Sequence, residues 1–135
     1  RPVDESAYAT VAALQQVIDE SAAQEGEVLF ITQRQLLTFG LIQNVPMVGG
    51  YDNVDLMEFA IMGYPPGLES FYSDLEHQRF KLIIAPYQSR VVSLEGSFAE
   101  ESYSWYVYIS KPLMKYYRVK AEFKDFDFLI LEPIP

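Results

Sequence analysis

The stretch Glu27-Val28-Leu29-Phe30-Ile31-Thr32-Gln33-Arg34-Gln35 opens with a short β-branched and aromatic run. It then passes at once into Thr-x-x-Gln, the pattern of a capping box at a helix start. A strand feeding directly into a helix is the opening of an α/β unit. Further on, Phe80-Lys81-Leu82-Ile83-Ile84-Ala85 is a second compact apolar run, closed by Pro86. Between the two, Val45-Pro46-Met47-Val48 predicts another strand, at a sheet edge or strand start because Pro46 cannot donate to a ladder. Leu56, Met57, Ala60 and Ile61 predict a helix over 54–63 capped by Asn53, and Leu68, Phe71, Tyr72 and Leu75 predict a further helix through residue 77. Crossover helices between parallel strands pack on one sheet face, so the expected fold class is α/β, a small Rossmann-like layered sheet with flanking helices.

Outward from this unit, Tyr8, Val11, Leu14, Ile18 and Ala22 recur at steps of three and four, predicting a helix from near Asp4 or Ser6 that stops before Gly26. Residues 87–101 show little periodicity and predict a loop, with a short strand at Arg90 to Leu94. Residues 103–109 have strand propensity by residue type, whereas Glu100-Glu101 suits a helix start, and both readings stand. Ser110-Lys111-Pro112-Leu113 predicts a helix opening. Val119, Ala121 and Phe123 alternate with charged residues, and the run Phe126 to Leu131 follows Lys124-Asp125, predicting a C-terminal antiparallel hairpin at the sheet edge.

The chain has 135 residues, of which half are apolar and 15% aromatic, enough for one hydrophobic core and a single domain over 1–135. Nineteen acidic against ten basic residues give a net charge of -9, which repels phosphate backbones and argues against nucleic acid as a partner. Without Cys there is no thiol nucleophile, no disulfide and no Cys-ligated zinc. No stretch approaches the roughly 18–20 uncharged apolar residues of a membrane span, so the piece itself is read as soluble. The start at Arg1-Pro2 suggests a processed product or an excised segment of a longer protein.

No assembled reactive set is legible. His77 is the single imidazole and falls at a predicted helix end, where a cation suits the macrodipole. Ser70 lies in Gly67-Leu68-Glu69-Ser70, which lacks the second glycine of a nucleophile elbow. Neither a dinucleotide fingerprint nor a Walker loop occurs, and no cofactor is expected. Arg34, at the start of the helix after the first strand, is a candidate for meeting an anion. Asp52 and Asp55, with Glu58, are weak candidates for a metal site; the calcium-loop pattern fails at Val54 and Leu56, and first-turn helix positions explain Asp55 and Glu58 as well. The aromatic run with Tyr103, Trp105, Tyr106, Tyr108, Tyr116 and Tyr117 is the most unusual local composition. It suits sugar stacking, a subunit interface or the membrane–water boundary, while the filling of a small core is the more common use of such residues. Trp105, Tyr106 and Tyr108 are the binding candidates.

Several patterns together resemble the C-terminal soluble domain of polytopic membrane glycosyltransferases of the C superfamily, the mannosyltransferase and aminoarabinose-transferase-like enzymes. They are Glu25-Gly26-Glu27-Val28-Leu29-Phe30, Leu36-Leu37-Thr38-Phe39-Gly40, Phe80-Lys81-Leu82-Ile83-Ile84, Pro112-Leu113-Met114-Lys115-Tyr116-Tyr117 and Phe128-Leu129-Ile130-Leu131-Glu132-Pro133. The resemblance implies a non-catalytic extracytoplasmic domain, periplasmic or cell-surface, that assists acceptor binding or docks on the membrane portion of its parent. A glycan or lipid-linked acceptor is the implied ligand. No catalytic residue carries over, because no matched position belongs to a catalytic motif. Two rivals remain open: a free-standing enzyme using Asp52 and Asp55 with a divalent metal, and an interaction module using the aromatic C-terminal region.

Overall fold

The computed structural model describes residues 5–46, 50–63, 65–90 and 100–135. Strands β1 (Glu27–Phe30), β2 (Phe80–Pro86), β3 (Tyr117–Phe123) and β4 (Phe128–Pro133) form one mixed sheet in the order β1-β2-β4-β3. β1 and β2 run parallel, while β4 pairs antiparallel with both β2 and β3. The helices are α1 (Glu5–Glu20), α2 (Arg34–Thr38), α3 (Asn53–Met62), α4 (Pro65–Glu76), α5 (Glu100–Trp105) and α6 (Lys111–Tyr116). A π-helical turn, Tyr106–Ser110, joins the last two. The α/β class, the layered sheet and the C-terminal hairpin all match the sequence reading.

Both faces of the sheet are covered, which explains why its central strands read as continuous apolar runs rather than alternating ones. Leu29, Ile83, Ala85, Leu129 and Leu131 face α3, α4 and the C-terminal helices, packing with Leu56, Phe71, Leu75, Trp105 and Leu113. Val28, Phe30, Leu82, Ile84, Phe128 and Ile130 face the other way, onto Leu14 and Ile18 of α1 and onto Ile42. In β3 one extra residue falls between Val119, opposite Leu131, and Ala121, opposite Ile130. This bulge turns the strand over: Tyr117 and Val119 serve the first core, whereas Ala121 and Phe123 serve the second.

Several local expectations are corrected. Among the described residues no strand lies between β1 and β2; Val45 and Pro46 are irregular, and Met47 and Val48 fall outside the described residues. Thr32 does not cap α2. Its amide still donates to Ile84 O, and Gln33 takes the N-cap position in the left-handed region with no side-chain cap. The α3 cap is Asp52, not Asn53: an Asp52 carboxylate oxygen accepts from the Asp55 amide at 2.8 Å. Arg90 lies in a 3-10 turn over Tyr87–Arg90, and the rest of the strand expected there, Val91 to Leu94, lies outside the described residues. Residues 103–109 are helical.

The parallel pair begins at a tight approach. Gly26 has φ +114°, and a Cβ there would sit 3.0 Å from Arg79 O and 3.1 Å from Lys81 N. Backbone atoms cannot swing aside as a side-chain tip can. Gly26→Ala is therefore expected to cost on the order of 1–3 kcal/mol, read as a lower urea midpoint with unchanged slope. An unchanged midpoint would show that the β1 entry can relax.

Candidate functional site

The aromatic tail forms the helical segment from α5 through the π-helical turn to α6, and proline explains its geometry. In an α-helix the Tyr108 carbonyl would accept from residue 112, but Pro112 has no N–H and its ring crowds that carbonyl. The chain widens instead, with Lys111 N donating to Tyr106 O across five residues. The Tyr108 carbonyl is satisfied from another element, accepting from the Tyr72 hydroxyl of α4 at 2.8 Å. Burial raises the Tyr72 hydroxyl's pKa above the usual tyrosine range. Ser110, also in this turn, is buried with a hydroxyl that finds no partner among the described residues.

Beside this turn, α4 and α6 enclose an open cleft of about 490 Å³. Glu69, Tyr72 and Glu76 line it from α4, and Lys111, Lys115 and Tyr116 from α6. None of these four charged groups pairs with another charged group among the described residues, and Lys115 Nζ sits 5.3 Å from the Tyr116 ring centroid. Carboxylates and ammonium groups beside aromatic rings are chemistry suited to hydroxyl-rich or zwitterionic groups.

The predicted binding residues do not converge there. Trp105 is buried at 2% exposure and donates from Nε1 to the buried Ser89 hydroxyl at 3.2 Å, so it belongs to the core. Tyr106 and Tyr108 are half-buried in the π-helical turn; Tyr108 contributes its carbonyl to the Tyr72 bond, and Tyr103 is the exposed aromatic of the segment. Arg34 is on the far side of the fold, its Nε donating to Phe30 O at 2.7 Å. His77 ends α4, exposed, its Nδ1 2.8 Å from Ser73 O.

Asp52 and Asp55 serve the start of α3 through their cap bond, and among the described residues no group of three or more His, Asp or Glu is placed to hold a metal. Asp52→Ala is expected to cost about 1 kcal/mol of stability, the typical loss of an N-cap. The same melts with and without added Mg²⁺ or Ca²⁺ should coincide. A cation-dependent rise seen in the wild type alone would put a metal at Asp52.

A polar network missed in the sequence joins α3's approach to the start of the parallel strands. The Tyr51 hydroxyl donates to Asp74 Oδ2 at 2.8 Å and lies 2.5 Å from Ser70 Oγ. Arg79 donates to Asp74 Oδ2 at 2.8 Å and to Glu27 Oε2 at 2.6 Å, while its guanidinium lies over the Phe80 ring. Glu27 and Asp74 hold Arg79 still more firmly in its charged form, and burial raises the Tyr51 pKa. Because every polar member is spent on another, the network locks four segments together. No sequence pattern announces it, since its members lie in a loop, a helix, a turn and a strand.

Two apolar surfaces lie elsewhere on the molecule. α3 buries Leu56 and Ala60 and packs Met57 and Phe59 at the core margin, while its solvent side exposes Val54, Ile61 and Met62 around the charged Glu58. On the opposite sheet face, α1, the residues after α2 and the turn before β4 enclose an apolar groove of about 480 Å³. Among the described residues no helix is long and apolar enough to cross a membrane. Comparison of the chain with protein-family models, with curated proteins and with solved structures gives no match.

Proposed function

We propose that this chain is a non-catalytic, extracytoplasmic domain of a membrane glycosyltransferase-like protein, docking on the membrane portion and helping to hold a glycan or lipid-linked acceptor. The supporting observation is α3. Its solvent side leaves Val54 65%, Ile61 46% and Met62 71% exposed around Glu58, more apolar side chain than a solvated helix face usually carries. α3 packs on α5, whose Tyr103 is likewise exposed, extending the surface. Such a surface is the kind that meets a protein partner. The cleft between α4 and α6, lined by charged and aromatic side chains, is the place this reading gives to an acceptor's hydroxyl groups.

The test is made in the parent protein. Its coding sequence should encode several hydrophobic spans ahead of Arg1, and the double variant Ile61→Glu, Met62→Glu should loosen cross-linking of the domain to the membrane portion. The melting temperature of the isolated domain should be unchanged, because both side chains already face solvent. A gene without hydrophobic spans, or cross-linking indifferent to both charges, ends the proposal.

A further inference from the structure

We infer that the groove between α1 and α2 is a binding site for an uncharged aliphatic chain, a role separate from the docking surface on α3. Tyr8, Val11, Leu36, Leu41, Phe126 and Phe128 are among the side chains that line it. At about 480 Å³ it falls within the size range of small-molecule sites, which are mostly apolar. It lies past the carboxyl end of β1, where open α/β sheets place their ligands. The backbone there is held in a costly form: Gln33 has φ 62° and, across the groove, Asp127 has φ 57°.

The chemistry of the lining selects the ligand. In a chain of net charge -9, no charged side chain lines this groove among the described residues. Its two amide side chains are already committed. Gln33 donates to Phe126 O at 3.0 Å and accepts from Gln35, while Gln15 donates to Gln43 O and accepts from the Gln43 amide at 2.8 Å. A polar ligand would lose its water and find only the Tyr8 and Thr10 hydroxyls in return, while a charged one would find no counter-charge. An apolar chain gains burial in proportion to the area it covers, beginning with Tyr8 and Leu41, which are 65% and 56% exposed. An anionic chain is further opposed by the field of the whole molecule.

The test titrates the intact chain with 1-decanol and, separately, with decanoate at pH 8, following side-chain resonances. With 1-decanol, saturable one-to-one shifts are expected at Val11, Leu36 and Phe126, and decanoate should bind at least about tenfold more weakly. Ala7→Trp fills the groove from α1, and Leu41→Glu places a charge on its exposed rim; each should weaken 1-decanol binding about tenfold or more. Using both variants guards against misfolding of either. The proposal is overturned if no saturable shift occurs, if decanoate binds as well as 1-decanol, if both folded variants bind like the wild type, or if the shifts fall on Val54, Ile61 and Met62.

Discussion

Trp105→Ala is expected to lower the stability of the domain by roughly 3–5 kcal/mol, the range for removing a large aromatic side chain from a core. The indole is 2% exposed and packs in the same cluster as Phe71, Ile109 and Leu113. Its removal opens a cavity and also strips the partner from the Ser89 hydroxyl, which is fully buried. Two costs therefore add. Tyr103→Ala, two residues earlier on the same helix but 55% exposed, should change stability by no more than about 0.5 kcal/mol. Urea melts of the pair measure the contrast. Were Trp105→Ala as stable as Tyr103→Ala, the indole would not be in the core. The same reasoning makes Trp105 a poor probe of partner binding, since any binding loss would be mixed with unfolding.

The second large effect centres on the Tyr117 hydroxyl, which donates to Phe80 O at 2.8 Å and accepts from Phe80 N at 3.2 Å. Continuing the register of β2 with β4 would bring Ile134 opposite Phe80, but Ile134 N donates to Tyr116 O instead, and Pro133 has no N–H. One phenol thus completes the ladder that β4 leaves unfinished. Tyr117→Phe keeps the ring and strands two buried backbone groups, at a cost of roughly 2–4 kcal/mol.

The hydroxyl also carries a pH signature. Burial pushes its pKa up from 10.0 to about 12, opposed by the Phe80 N–H that donates to the phenol oxygen and aided by the Asp74 carboxylate. Between these values the unfolded chain releases the proton while the folded chain keeps it, so stability falls as pH rises from about 10 to about 12. The loss is about 2–3 kcal/mol. Tyr51 and Tyr72 are raised as well and remain in the variant, so Tyr117→Phe should show a shallower alkaline decline rather than none. An identical decline in both proteins would mean that Tyr117 does not titrate as a buried group.

The sheet was legible because its inner strands are buried on both sides, and apolar runs as short as β1 and β2 suit a doubly covered strand better than a helix. α1 and α4 were legible by period. The segment from α5 to α6 was not, for a definite reason. Its buried residues Trp105, Ile109 and Leu113 step by four, and the same stretch alternates Tyr103, Trp105, Val107, Ile109 as a strand would. The widened turn that Pro112 imposes keeps steps of four aligned on one core, a geometry neither template anticipates. Nor was the apolar groove visible: Tyr8 and Phe126 are far apart in the chain and line one groove only because α1 packs on the sheet face beside the turn before β4. Even the left-handed Gln33 hid behind a plausible capping sequence, since its side chain is drawn instead to Phe126 O.

The kink in β3 has a consequence for how copies of this molecule tolerate one another. β3 is the outermost strand on its side, and a straight outermost strand invites a neighbour to zip alongside it. Here the supernumerary residue breaks the even rhythm of free amides and carbonyls, while Arg118 and Lys120, both tied to Glu132, and Glu122, paired with Arg90, stud the rim with charge. A second molecule approaching that rim meets a bent, charged border instead of a flat template, which makes this side a poor seed for fibre growth.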